Sequence, residues 1–235
     1  MLNGTTIGAV VPAAGKGSRM GTELSKQFLE LDGKPILLHT LERLQSIPEV
    51  DIIVVAAAED RLDQVKEIVA AHRLTKVSVV IPGGAERQDS VWNCLRTLSL
   101  SKVDSVIVHD AVRPFISRDI VCNVCNAAKE FGAAVPVVRP KDTIKVLNGE
   151  GFVSSTLERN SLVVVQTPQG FQFPLLYRSY ERAMSQKFYG TDDASLVERY
   201  NGRVKIVEGD YHNIKITTPE DLAIAKHLMR KQSIA

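Results

Sequence analysis

Positive charge gathers in this chain where a phosphate group would have to bind. The stretch Val11-Pro12-Ala13-Ala14-Gly15-Lys16-Gly17-Ser18-Arg19-Met20-Gly21 joins an apolar run to a loop of small residues. Small side chains let backbone N–H groups approach an anion closely, and the loop after the first strand of an α/β sheet is a common nucleotide site. Lys16, Arg19 and Lys26 fall within eleven residues of this segment. The loop matches neither common phosphate motif. A Walker A loop requires glycine five residues before Gly15, where Val10 stands, and G-x-G-x-x-G fails because position 20 is Met. An ordinary NTPase or NAD-dependent enzyme is therefore disfavoured.

Other chemistries find little footing. Cys94, Cys122 and Cys125 are too few and odd in number for a disulfide framework. Cys122 and Cys125 form a C-x-x-C, but the surrounding pattern reads as a helix with both on its core-facing stripe. The five histidines, at 39, 72, 109, 212 and 227, lack the paired spacing of a zinc site. A net charge of +2 gives no reason to expect nucleic-acid binding. The longest apolar runs are too short to cross a bilayer, so no membrane partner is expected. The first residues enter a strand without a basic region and cleavage site, which leads us to expect a cytoplasmic protein.

The elements that must hold the loop alternate between short apolar runs and amphipathic stretches, the pattern of an α/β doubly wound, Rossmann-like, mostly parallel sheet. Strands are expected at residues 7–11, 52–56, 77–81, 105–109, 133–138, 162–166 and 204–207. Helices are expected from Pro35, over 61–71 and 87–98, and from Thr218, where Pro219, Glu220 and Asp221 suit a first turn. We find no linker, so residues 1–235 are read as a single domain. Residues 143–147 and 152–157 are β-prone and joined by Asn148-Gly-Glu-Gly151, a good hairpin turn. They read as an arm inserted at about 140–160, either projecting onto another subunit or simply exposed.

The segments Pro12-Ala-Ala-Gly-Lys-Gly-Ser-Arg-Met-Gly and Lys26-Gln27-Phe28 resemble the signature of sugar-phosphate nucleotidylyltransferases. With Gly83-Gly84-Ala-Glu-Arg87-Gln-Asp-Ser90, Val108-His-Asp110-Ala-Val-Arg113-Pro, Lys141-Asp-Thr143, Gln166-Thr167-Pro-Gln-Gly-Phe, Thr191-Asp-Asp-Ala-Ser-Leu-Val and Asn213-Ile-Lys215-Ile-Thr, the chain looks like the 2-C-methyl-D-erythritol 4-phosphate cytidylyltransferase family. These blocks run in order through nearly the whole sequence.

The resemblance implies transfer of a cytidylyl group from CTP to methylerythritol 4-phosphate, with release of pyrophosphate, in isoprenoid precursor synthesis. It implies that Arg19 and Lys26 stabilise the α-phosphate and leaving pyrophosphate, and that Arg159 and Lys215 hold the attacking phosphate. CTP would be bound by Pro12, Ala13, Ala14, Gly15, Gly17, Gly84, Ala85, Arg87, Ser90, Asp110 and Ala111. Arg113, Thr143, Thr167, Thr191 and Asp192 would contact the polyol phosphate, although Asp192 and Asp193 also read as helix caps. Asp110 would ligate Mg2+. Lys215 is expected on a strand. A homodimer whose arm completes the partner's site is also implied. Val112 and His212 stand where the family often has Ala and an acid. The nearest rival is a CDP-ribitol-forming cytidylyltransferase. Another class, a non-catalytic nucleotide-binding regulator on the same fold, is opposed by Arg19, Lys26, Arg159 and Lys215 standing together.

Overall fold

The structure is a computed structural model that describes residues 4–15 and 25–232. Gly17 and Arg19, together with Lys16, lie outside the described residues. The chain runs through β1 (Ile7–Ala13), β2 (Glu30–Leu31), β3 (Lys34–Pro35), α1 (Ile36–Ser46), β4 (Ile52–Ala57), α2 (Leu62–Ala71), β5 (Val77–Pro82), α3 (Arg87–Leu98) and β6 (Ser105–Val108). It continues with α4 (Arg118–Phe131), β7 (Ala133–Val138), β8 (Lys145–Leu147), β9 (Val153–Thr156), β10 (Val164–Val165), β11 (Gln169–Gln172), α5 (Phe173–Ser185), α6 (Asp193–Arg199), β12 (Lys205–Glu208) and α7 (Pro219–Gln232).

Eight strands form one mixed sheet in the order β10-β7-β11-β6-β1-β4-β5, with β12 also on β7. The pairs β1–β4, β1–β6, β4–β5 and β7–β12 are parallel. Ile7, Ala9, Val11 and Ala13 of β1 face one layer of core and Val10 the other. This two-sided burial is why the central strands read as continuous apolar runs rather than alternating ones. Leu38, Leu41 and Leu44 of α1 and Val124 of α4 cover one face. Val91 and Leu95 of α3 with Leu176 and Tyr180 of α5 cover the other.

Three expectations need correction. The strand expected at 162–166 shrinks to two exposed residues, Val164 and Val165, antiparallel to β7. The strand that fills the place between β7 and β6 is instead β11, sequence Gln-Gly-Phe-Gln, antiparallel to both. Its polar composition hid it. Gly170 allows the close approach of α4, since a Cβ there would sit 2.4 Å from Val124 Cγ1. Residues 213–217 form no strand, and Ile216 N–H merely donates to Val112 O. Of the C-x-x-C pair only Cys125 is buried in the core, while Cys122 is half-buried beside the Glu49–Arg118 ion pair.

The hairpin forms as expected, with β8 and β9 antiparallel and the Asn148 side chain accepting from Glu150 and Phe152 N–H. All seven strand residues are exposed, and Phe152 and Leu147 keep 69% and 63% of their surface. Such a hairpin has no core of its own.

Gly170→Ala is expected to lower stability by about 1–3 kcal/mol, the usual cost of overpacking. Gly149→Ala, in open space, should change it by under about 0.5 kcal/mol. Urea midpoints check the pair, and equal midpoints would contradict the packing of β11 under α4.

Candidate active site

The parallel strands β1, β4, β5 and β6 end on the same edge of the sheet, and a cavity of about 640 Å³ opens there. Its walls come from the end of β1 (Pro12 to Gly15), from Gly84 and Ala85 after β5, and from the loop after β6 that carries Asp110 and Ala111. Lys26, Arg87, Ser90 and Lys215 also face it. A second cavity of 610 Å³ lies at the β7–β12 edge beside Arg139 and Tyr211. It has no glycine-rich loop from a parallel strand and no buried carboxylate among its lining residues, so the first is the candidate active site.

Backbone shape comes first. Gln27, buried under the loop, donates its amide to Ala13 O at 2.7 Å and Gly15 O at 3.1 Å. It pins both ends of the small-residue turn next to Lys26. On the facing wall, Ser90 Oγ accepts Gly84 N–H at 3.0 Å and donates to Glu86 O at 3.2 Å. The Ser90 proton is thereby committed to shaping the turn. A Cβ at Gly83 would sit 2.3 Å from Ala14 Cβ, and one at Gly84 2.1 Å from Asp89 Cβ. Gly83 is glycine because the two loops meet there, and Gly84 because its loop folds back on the first turn of α3.

Asp110, at the end of β6, is the electrostatic centre. Its Oδ2 lies 3.0 Å from Lys215 Nζ and 3.3 Å from Arg113 Nε, and its Oδ1 lies 3.5 Å from Arg87 Nε. Burial alone would raise this carboxyl, but Arg87, Lys215 and Arg113 outweigh it and hold it well below the usual carboxylate range. Arg113 also donates to Asn213 O at 2.7 Å, tying the segment before Lys215 to the same centre.

Beneath Asp110, its backbone N–H donates to Thr167 Oγ1 at 3.1 Å, and that hydroxyl meets His109 Nδ1 at 3.0 Å. His109 Nε2 faces Arg113 O, an acceptor only, so Nε2 carries the proton and Thr167 donates to Nδ1. Burial pushes His109 down to about 4, which keeps it neutral.

Arg87 is held from the far side by Asp193, through Nη1–Oδ1 at 3.1 Å and Nη2–Oδ2 at 2.7 Å. Burial lowers its affinity for the proton, and the Asp193 and Asp110 charges more than restore it. Three cations against two carboxylates leave one positive charge, and Lys26 and Glu86, which also line the cavity, balance in formal charge. The cavity suits a polyanion.

Pro12, Ala13, Ala14, Gly15, Lys26, Gly84, Ala85, Arg87, Ser90, Asp110, Ala111 and Lys215 are thus brought together around one space. Arg113 and Thr167 stand behind Asp110. Arg159 and Thr143 do not border the cavity. They lie together at the exposed base of the hairpin, 3.4 Å apart, with Arg159 also donating to Lys141 O. Thr191 is exposed, and Asp192 caps α6 by accepting Ser195 N–H at 2.9 Å and the Gln169 amide at 2.7 Å. Sequence reasoning gave no role to Gln27 or His109 and offered Asp193 only as a cap, although each sits beside a residue it singled out.

A single carboxylate on a cavity wall is what a metal shared with a ligand's phosphates requires, not a protein cage. No cluster of three or more acidic, His or Cys side chains able to hold a metal alone occurs among the described residues.

A family model for 2-C-methyl-D-erythritol 4-phosphate cytidylyltransferase matches residues 7–231. Proteins of that name from Clostridium perfringens (strain SM101 / Type A) and Geobacillus kaustophilus (strain HTA426) are 45% and 46% identical over 222 and 224 residues. The alignments cover 94% of this chain in both cases, and 98% and 96% of the relatives. The crystal structure of 4-diphosphocytidyl-2C-methyl-D-erythritol synthase from Anaerococcus prevotii has a TM-score of 0.85 at 31% identity, covering 97% of this chain and 100% of that one. The cytidylyltransferase from Thermus thermophilus has a TM-score of 0.78 at 34% identity, covering 94% and 98%. Sequence and fold agree along almost the whole length, and the chain belongs to the 2-C-methyl-D-erythritol 4-phosphate cytidylyltransferase family.

Proposed function

We propose that this enzyme transfers the cytidylyl group of CTP to 2-C-methyl-D-erythritol 4-phosphate, giving 4-diphosphocytidyl-2-C-methyl-D-erythritol and pyrophosphate. The observation that carries the reading is the positively charged cavity around Asp110, in a chain of this family. The attacking group is a phosphate monoester, mostly dianionic at neutral pH because its second pKa is about 6. Its oxygen bonds to the α-phosphorus of CTP, the bond from that phosphorus to the β-phosphate oxygen breaks, and pyrophosphate leaves with the electron pair. No general base is needed. The barrier is the meeting of two anions, which fixed cations lower.

Lys26 stands at the pinned loop, where negative charge shifts at the α-phosphate, and Arg19 is assigned the same task. Lys215 takes the incoming phosphate, moving from Asp110 toward it. Backbone groups of Ala13, Ala14, Gly15, Gly84 and Ala85 read the base and ribose, selecting a pyrimidine by size. Asp110 would hold Mg2+ together with the nucleotide, and that ion supplies charge neutralisation along the triphosphate. Arg113 and Thr167 keep Asp110 in place and face the polyol side, with Thr191 and Asp192 at the outer rim. We place the reaction in the cytoplasm, where CTP is made. Among the described residues no helix is long and apolar enough to cross a membrane.

Thr143 and Arg159 have no work in their own cavity, and the arm they belong to exposes Leu147, Phe152 and Val153. A homodimer in which the arm reaches the partner's site accounts for both facts. The CDP-ribitol reading is not favoured, since the matching family and relatives carry the methylerythritol phosphate name.

Turnover assays decide the substrate. Pyrophosphate release is expected with CTP and methylerythritol 4-phosphate, and at least on the order of a hundredfold less kcat/KM with ribitol 5-phosphate, whose hydroxyls would leave buried polar groups unmatched. Equal or better use of ribitol 5-phosphate would reverse the assignment. The shared site has its own test. Lys26→Ala and Arg159→Ala proteins are each expected to be nearly inactive, and subunit exchange makes about half the dimers mixed. One site of each mixed dimer then combines an intact Lys26 with an intact Arg159, so roughly a quarter of all sites should recover. No recovery, with exchange confirmed by tagged subunits, would place Arg159 at its own chain's site.

A further inference from the structure

The Thr191-Asp192-Asp193 turn carries two adjacent carboxylates with different surroundings. Asp192 is spent on its own helix cap and on Gln169. Asp193 is fully buried, and its carboxylate takes no part in capping. It accepts both terminal nitrogens of Arg87, and its Oδ1 also accepts the hydroxyl of Tyr180, itself buried in the core under α3. Arg87 turns its Nε edge toward Asp110, at 3.5 Å. A line of alternating groups therefore runs from Tyr180 through Asp193 and Arg87 to Asp110, linking the α5–α6 layer to the cavity wall.

We infer that Asp193 is a positioning residue for nucleotide binding, acting by fixing the Arg87 guanidinium flat against the wall of the cavity. The inference rests on the cytidylyl-transfer reading above. An arginine makes its strongest contact as a two-pronged fork on a carboxylate or phosphate. While Asp193 occupies that fork, Arg87 approaches Asp110 edge-on, no nearer than 3.5 Å through Nε, and Asp110 Oδ2 stays with Lys215 and Arg113. Without the Asp193 charge, Arg87 keeps Asp110 as its partner and turns both terminal nitrogens onto it. The guanidinium then moves off the wall into the space the nucleotide needs, and it competes with Lys215 for the same carboxylate.

The test measures CTP binding by titration calorimetry, without turnover, alongside steady-state kinetics. Asp193→Asn is expected to weaken CTP binding and raise KM for CTP on the order of tenfold, while KM for methylerythritol 4-phosphate moves less than about threefold. In an Arg87→Met background, which has no guanidinium to swing, the same change should weaken CTP binding less than about twofold. Equal losses in the two backgrounds, or an unchanged KM for CTP with only kcat reduced, would mean that Asp193 merely supports the fold. If Asp193→Asn does not fold, Arg87→Lys takes its place. It keeps the charge but cannot span both carboxylates, and it should also raise KM for CTP on the order of tenfold. Wild-type affinity in that variant would overturn the inference. Failure of the wild type itself to bind CTP would remove the proposed function, and this inference with it.

Discussion

A buried carboxylate cannot stay ionised alone, and the architecture of this site follows from how Asp110 meets that constraint. Taking its charge out of water costs several kcal/mol, and the folded chain offsets this with three cations from three separate segments. Arg87 comes from the start of α3, Arg113 from the loop after β6, and Lys215 from the segment before α7. Of the cations, Arg113 is nearly as buried as the carboxylate and would be the costliest without it, while Arg87 and Lys215 are partly exposed. The cluster therefore ties the first half of the sheet, the loop after β6 and the C-terminal segment to one point. Because the Asp110 carboxyl is lower in the folded than in the unfolded chain, its stabilising effect is present at neutral pH and is lost only in strong acid, as pH falls through the depressed value.

That arrangement also suits the reaction. A site for two anions must be positive, yet cations with no counter-charge would repel one another and open the cavity. Asp110 and Asp193 hold Arg87, Arg113 and Lys215 close while leaving a net positive field. The pinning of Ala13 and Gly15 by Gln27 adds backbone groups that need not reorganise when a phosphate arrives. The hairpin stands outside this logic. Its exposed Phe152 and Leu147 gain nothing within the single chain.

The parallel strands were legible because burial on both faces writes an uninterrupted apolar run, as in Ile52–Ala57. β11 was not, because its stability comes from position rather than composition. Gln169 spends both ends of its amide on α6, and Gly170 is there to let α4 approach. The strand expected around Lys215 failed for the opposite reason. Ile214 and Ile216 alternate as a strand would, but their partners are α7 and the loop holding Val112 and Phe115. In the site, the family resemblance pointed to the residues that line the cavity but not to those that hold them. Gln27 and Asp193 act on groups 12 and 106 residues away, separations that no local pattern records.

Asp110 remains charged because three cations surround it. Carbon-13 NMR of the Asp110 side-chain carboxyl, followed as pH is lowered, tests this in the unmodified protein. No protonation step is expected down to about pH 3, since the cationic neighbours favour the charged form. A midpoint at or above the ordinary 3.8 would show that the cations do not compensate burial, and would contradict the account.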